Sequence, residues 1–124
     1  MNRQRVGRSD SGQATVELAL ATPVLCLLLL GVVQLTVVVR DQLAAIEAAR
    51  IGVRAAAVSA DPANAATTAA QHASDQTARV STEVHGGYVT VYVTITSSTD
   101  VPLIGALLPD VDVRASATML LEPP

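Results

Sequence analysis

The chain is short and carries little charge: it has 124 residues, 50% of them hydrophobic, with two Tyr and no Phe or Trp. Its net charge of −3 combines a basic N-terminal leader with an acidic remainder, so a basic surface for nucleic acid is not expected. The single cysteine excludes an intrachain disulfide. The 85 residues that follow an apolar run near the N-terminus are enough for one small domain. Its core is expected to be thin, because the chain has no Phe or Trp to fill it.

The most informative segment is an almost unbroken apolar run from Leu18 to Val39, 22 residues in all. As a helix it would span roughly 33 Å, which is enough to cross a hydrocarbon core of about 30 Å. A secretory signal has a shorter apolar stretch that ends in a small-x-small cleavage site. This run is longer and ends in Val-Val-Val-Arg, so a retained membrane helix is favoured over a removed signal.

Charged residues around the run bear on its orientation and include a candidate functional group. Arg3, Arg5 and Arg8 lie in the leader, but Arg40, Arg50 and Arg54 follow the run, so the count of positive residues alone does not decide the orientation. Because the domain is acidic and polar, the N-terminus is predicted inside and the domain outside. Glu17 directly precedes the run. A carboxylate at the mouth of a lipid-spanning helix is costly, and its presence there indicates a function.

The helix is predicted to continue beyond the run, from about Ala14 to Val58. Gln34 and Thr36 are polar residues near its outer end, and two interpretations stay open: solvation at the interface, or hydrogen bonding between helices. Past Arg40 a predicted apolar face recurs at steps of three and four residues. This face consists of Leu43, Ile46, Ala49, Val53 and Ala56.

The rest of the chain predicts one short helix and three strands. Asp61 and Pro62 have the pattern of an N-cap and a first helical residue, for a helix over about 62–78. Apolar residues then alternate in three segments around a Gly86-Gly87 turn, which predicts an antiparallel meander with one buried face. The buried positions are Val80, Thr82 and Val84; Val89, Val91, Val93 and Ile95; and Val111, Val113, Ala115, Ala117, Met119 and Leu121. The apolar loop 101–108 is either a lid on the core or a surface that docks on a partner or a membrane.

The predicted fold class is therefore α+β. A long N-terminal membrane-spanning helix continues into a soluble head, followed by a short second helix and a three-stranded antiparallel β-meander packed on the first helix. The predicted division is a basic cytoplasmic leader (1–12), a transmembrane helix (13–39) and an extracytoplasmic head (40–124). His72 and His85 are the only histidines, and no metal-ligand spacing or phosphate loop occurs. An enzyme, a cofactor and a small-molecule substrate are not expected.

Three stretches of this sequence resemble TadE-like proteins, which are pilin-like components of tight-adherence (Flp) pilus systems. They are Gly12-Gln13-Ala14-Thr15-Val16-Glu17, the apolar span with Pro23, and the Ala/Arg-rich stretch 47–57. The resemblance is best over residues 12–58. It implies a pilin-like fold and a minor pilin or pseudopilin held as a single-pass protein in the bacterial cytoplasmic membrane, or carried to the cell surface in a pilus. The implied partners are the membrane, other pilin-like subunits, the pilus assembly machinery and a prepilin peptidase.

The resemblance also implies roles for three residues. Cleavage would fall between Gly12 and Gln13, and Glu17 would pair with the new amino terminus of a neighbouring subunit, which offsets the burial of both charges. A different class of function stays open beside this one. The chain could be a single-pass, membrane-tethered extracytoplasmic binding module that is unrelated to pili and shares only the anchor.

Overall fold

The computed structural model describes residues 10–74, 78–99, 105 and 109–122, with side chains from residue 12 onward. The elements are α1 (Asp10–Ala57), α2 (Pro62–Ala73), β1 (Ala78–His85), β2 (Tyr88–Ser97) and β3 (Val111–Leu120). The α+β class and the predicted order of elements are confirmed. The chain forms two compact units, Met1–Val33 and Gln34–Pro124. The second is called the C-terminal unit below. The apolar loop 101–108, apart from Gly105, and the leader up to residue 9 lie outside the described residues.

Helix α1 has 48 residues with Pro23 inside it; it begins at Asp10, four residues before the predicted start, and ends within one residue of the predicted end. It ends where Ser59 and Asp61 form a turn in which the Asp61 N–H donates to the Ser59 hydroxyl at 3.2 Å. The last carbonyls of a helix lack partners within the helix. Here the Ala57 carbonyl accepts from the Glu122 N–H at 3.0 Å, so the chain that follows β3 closes the end of α1.

Helix α2 begins as predicted, with Asp61 as its N-cap and Pro62 in the first turn. The Asp61 carboxylate accepts from the Asn64 N–H at 3.2 Å, a contact typically worth about 1 kcal/mol of helix stability. The helix ends at Ala73, earlier than the predicted 78. It buries Ala66 and Ala70, which are small enough to let it lie close to its neighbours.

The sheet is an antiparallel meander in the order β1-β2-β3. Its register pairs Thr82 with Val91 and Val91 with Ala117. The hairpin between β1 and β2 turns on Gly86 (φ 59°) and Gly87 (φ 81°). Both lie in the left-handed region that residues with a Cβ avoid, as two-residue hairpin turns require. The predicted hairpin is confirmed.

One face of the sheet is buried, and the predicted alternation is confirmed on β2. On β1, Val80 and Thr82 are only half-buried, and the prediction is wrong for Val84, which is 53% exposed near the hairpin. Val89, Val91, Val93 and Ile95 of β2 are fully buried. The middle of the edge strand β3 alternates in the same way: Val113 is buried, and Ala115 and Ala117 are half-buried. Burial fades toward both ends of β3, because Val111 and Met119 are each about two-fifths exposed.

The predicted contact face of α1 is wrong at its start. Leu43 is 63% exposed and Ile46 is only half-buried. The helix instead turns a stripe of small residues to the sheet, since small side chains let its backbone approach the β2 valines. The buried positions are Asp41, Ala45, Ala48, Ala49, Gly52, Val53, Ala56 and Ala57. The predicted face was chosen to include the large apolar residues Leu43 and Ile46. It is wrong there because most of the buried positions on this helix are alanines.

Gly52 marks the closest approach of α1 to its neighbours. A Cβ at this position would lie 3.2 Å from the Ala66 carbonyl oxygen, 3.2 Å from the Ala70 Cβ and 3.3 Å from the Val91 Cγ1. These distances are tighter than ordinary packing. This close approach brings α1, α2 and β2 together at one point.

The position of the buried face gives a test with a matched pair in one helix. Ala48→Asp places an unpaired charge in the core and should lower the free energy of unfolding by several kcal/mol. Leu43→Asp replaces an exposed side chain and should change it by about 0.5 kcal/mol or less. Thermal unfolding of the full-length variants in detergent measures both. A Leu43→Asp protein as unstable as Ala48→Asp would contradict the assigned face.

Candidate processing and assembly site

The three residues singled out by the sequence lie together in the first turns of α1. Gly12, Gln13 and Glu17 are all exposed. Because Gln13 and Glu17 are four residues apart on a helix, their side chains lie on the same face. The Gln13 amide Nε2 donates to the Glu17 Oε1 at 3.4 Å. The structure thus brings Gln13 and Glu17 into contact, with the Gly12–Gln13 peptide bond beside them.

Gly12 has no packing reason to be glycine. A Cβ at this position would meet nothing within 4 Å, in contrast to Gly52. Glycine inside a helix costs about 0.5–1 kcal/mol relative to alanine. Gly12 therefore lowers the helix propensity of the first turns of α1, and both Gly12 and Gln13 are exposed there.

Glu17 is the only charged residue between Gly12 and Val39. Its ionised carboxylate can accept about four hydrogen bonds, and the Gln13 contact supplies one long, neutral donor. The side chains that follow are apolar and exposed, beginning with Leu18. The carboxylate is therefore a strong acceptor at the edge of an apolar surface, which is the environment in which a cationic partner is bound most tightly.

The helix behind this site has the surface of a membrane segment. Every side chain from residue 12 to residue 29 is exposed, and most are aliphatic. Within the described ranges, one helix is long and apolar enough to cross a membrane, and it includes this stretch. The Thr22 hydroxyl donates to the Leu18 carbonyl at 2.7 Å, so the polar group of Thr22 is satisfied within the helix. Such a helix is compatible with a single-pass anchor.

Gln34 makes a tertiary contact that the sequence analysis did not consider. Its Nε2 donates to the Thr99 hydroxyl at 3.4 Å, within the C-terminal unit. No local pattern indicates this contact, because the two residues are 65 positions apart. One indirect signal existed: Gln34, Val38, Asp41 and Ala45 follow steps of four, three and four, which places Gln34 on the stripe that α1 turns to the sheet.

Other polar groups of the C-terminal unit are engaged in structural contacts. The Asp112 carboxylate accepts from the Thr96 hydroxyl at 2.8 Å, and the Asp110 carboxylate accepts from the Thr99 N–H at 3.1 Å. His72 and His85 are exposed. Across the part of the chain that the structure describes, no group of three or more His, Cys, Asp or Glu side chains could hold a metal ion.

Comparison with known proteins adds one match. The model of the family described as TadE-like protein matches residues 12–54. The match begins at Gly12, includes Glu17 and Pro23, and runs past the apolar run into the part of α1 that packs on the sheet. No curated protein and no solved structure matches the chain.

The family match indicates a role in tight-adherence pilus systems, and TadE-like pilin proteins are in general not enzymes. The matched segment is the one whose motifs carry the resemblance in the sequence. Over residues 12–54, which lie within α1, the resemblance to the TadE-like family is confirmed.

Proposed function

We propose that the chain is a minor pilin or pseudopilin that acts in the assembly of a tight-adherence, type IV-like pilus. In this proposal residues 13–39 anchor it in the cytoplasmic membrane, the leader 1–12 is cytoplasmic, and the head 40–124 is extracytoplasmic. Its partners are other pilin-like subunits, the assembly machinery and a prepilin peptidase.

The observation that carries the proposal is the placement of Glu17. It is the single charge between residues 12 and 39, a mostly exposed and mostly apolar stretch of helix, and among the described residues its side-chain contact is a neutral amide. A lone carboxylate at the edge of lipid is costly without a partner. A cation supplied by a neighbouring subunit offsets that cost, because it pairs with the carboxylate where the dielectric constant is low.

Processing at Gly12 would create that cation. Hydrolysis of the Gly12–Gln13 peptide bond leaves a carboxylate on Gly12 and a protonated amino group on Gln13. The new amino group of one subunit then binds the Glu17 carboxylate of its neighbour, and the Gln13 side-chain amide orients that carboxylate until the neighbour arrives. The exposure of both groups and the absence of packing around Gly12 support this sequence of events.

The extent of the family match supports a pilus role over a tethered binding module that shares only an anchor. An anchor alone would account for similarity up to about Val39. The match continues to Arg54 and covers the stretch in which α1 buries Ala45, Ala48 and Gly52. The similarity therefore includes the way in which α1 joins the sheet.

Membrane anchoring predicts the behaviour of the full-length chain in cells. Alkaline carbonate extraction should leave it in the membrane pellet, since residues 18–33 are mostly aliphatic, almost all exposed and without charge. Immunoblotting of both fractions is the measurement, with a peripheral membrane protein as a control for stripping. Full-length protein in the carbonate supernatant would contradict the anchor.

Pairing through Glu17 predicts a selective assembly defect. Glu17→Gln removes one charge and leaves the partner's ammonium unpaired, which typically costs about 3–5 kcal/mol, or roughly two to four orders of magnitude in association. Membrane insertion and expression should stay normal, while site-specific crosslinking to pilus subunits and the number of surface pili should fall.

Glu47→Gln is the matched control, because Glu47 is an exposed acid farther along the same helix. It should leave crosslinking unchanged, and Glu17→Asp should keep part of the wild-type signal because it keeps the charge. Wild-type crosslinking and piliation in the Glu17→Gln strain would refute the assembly role of this carboxylate.

A further inference from the structure

The end of the sheet opposite the hairpin is tied to α1 through one buried residue. Thr99 is 7% exposed, and its hydroxyl contacts Gln34 Nε2 at 3.4 Å and the Pro109 carbonyl at 3.4 Å. Its N–H donates to the Asp110 carboxylate at 3.1 Å. The chain therefore leaves the sheet at Thr99 and returns at Pro109 beside Gln34 of α1. Thr99, Pro109 and Asp110 are called the proximal end of the sheet below.

Gln34 lies within the apolar run, which continues to Val39. The last six residues of that run therefore belong to the C-terminal unit. On the sides of α1 that the sheet leaves uncovered, Leu35, Val37 and Val39 are 64%, 38% and 51% exposed. Exposed aliphatic side chains and a polar protein surface thus occur at the same level of the helix. Such a mixture suits the interface between lipid and water.

The length of this segment agrees with that environment. Residues 34–39 rise about 9 Å along the helix, which is close to the roughly 5–7 Å that the headgroup region adds on each side of a bilayer. Arg40 is exposed and is the first charge beyond the run. Its long side chain can reach the lipid phosphates while its stem lies on apolar surface.

We propose that the proximal end of the sheet rests in the headgroup layer of the membrane, with Gln34 at the boundary of the hydrocarbon core. This rests on the proposed membrane anchoring and specifies its geometry: the protein surface that meets lipid includes one end of the sheet as well as α1.

One consequence concerns Glu17. If the hydrocarbon core ends at Gln34, the apolar residues 18–33 supply only about 24 Å, whereas the core is about 30 Å thick. A span of 20 residues that ends at Val33 begins at Ala14 and includes Glu17. The carboxylate then lies inside the edge of the core, where it needs a cationic partner more strongly than it would at the surface.

The absence of tryptophan from the chain makes a direct test possible. Single tryptophans are introduced into the full-length protein, which is reconstituted in phosphatidylcholine vesicles with or without brominated acyl chains. Bromine quenches tryptophan only at close range. Val111→Trp reports on the proximal end, and Leu120→Trp on the same strand lies about 30 Å away. Both replaced side chains are exposed. Leu27→Trp, in the middle of the apolar run, reports on anchoring.

The expected result is strong quenching of Leu27→Trp, partial quenching of Val111→Trp by lipids brominated near the headgroups, and no quenching of Leu120→Trp. Ser98→Trp, at a second exposed position near Thr99, should behave like Val111→Trp.

Two outcomes separate this inference from the function on which it rests. If Leu27→Trp is quenched and both proximal tryptophans are not, the anchor stands and the inference is overturned. If Leu27→Trp itself is not quenched, the anchoring fails and the inference fails with it. A blue-shifted but unquenched Val111→Trp would mean that another copy of the chain covers this end, and would also overturn the proposal.

Discussion

The contact between the small-residue stripe of α1 and the valines of β2 is the interaction on which the rest of the structure depends. The chain has no Phe or Trp to fill a core, so stability comes from close approach rather than from large side chains. Alanine and glycine on the helix allow that approach, and Val91 meets Gly52 at its centre. The stripe consists of Asp41, Ala45, Ala48, Ala49, Gly52, Val53, Ala56 and Ala57.

The same helix must also satisfy a second environment. Its surface before Gln34 is exposed and aliphatic, which water does not favour and a bilayer does. Its stripe after Gln34 is buried on protein. In our proposal the membrane covers the surface before Gln34, and the sheet covers the stripe after it. The Gln34–Thr99 hydrogen bond lies at the boundary between the two. Moving this boundary moves Glu17 relative to the lipid, so the position of the head and the cost of the unpaired carboxylate are coupled.

Much of the fold follows from local pattern. The Asp61 cap, the Gly86-Gly87 turn and the alternation through Val89 and Ile95 each depend on neighbouring residues, and the structure confirms each. The face of α1 did not follow, because periodicity favours large apolar residues such as Leu43 whereas the contact uses alanine. The Gln34–Thr99 contact did not follow because tertiary structure alone brings those residues together.

The candidate site shows a different limit. The sequence identifies Gly12, Gln13 and Glu17, and the structure places Gln13 against Glu17. The proposed partner of Glu17 is a charge on another molecule. Among the described residues, the Glu17 carboxylate contacts the Gln13 amide. The cation that we propose as its partner is supplied by a neighbouring subunit, so no pattern within one chain predicts the pairing geometry.

Hydrogen exchange of the full-length protein in phosphatidylcholine vesicles tests most directly whether one helix serves both environments. The account predicts slow amide exchange from residue 18 through Ala57, with protection of 18–33 lost when lipid is replaced by denaturant at a concentration that leaves 45–57 protected. Fast exchange over 18–33 in intact vesicles, with 45–57 protected, would contradict it, because the apolar half of α1 would then be neither in lipid nor packed on protein.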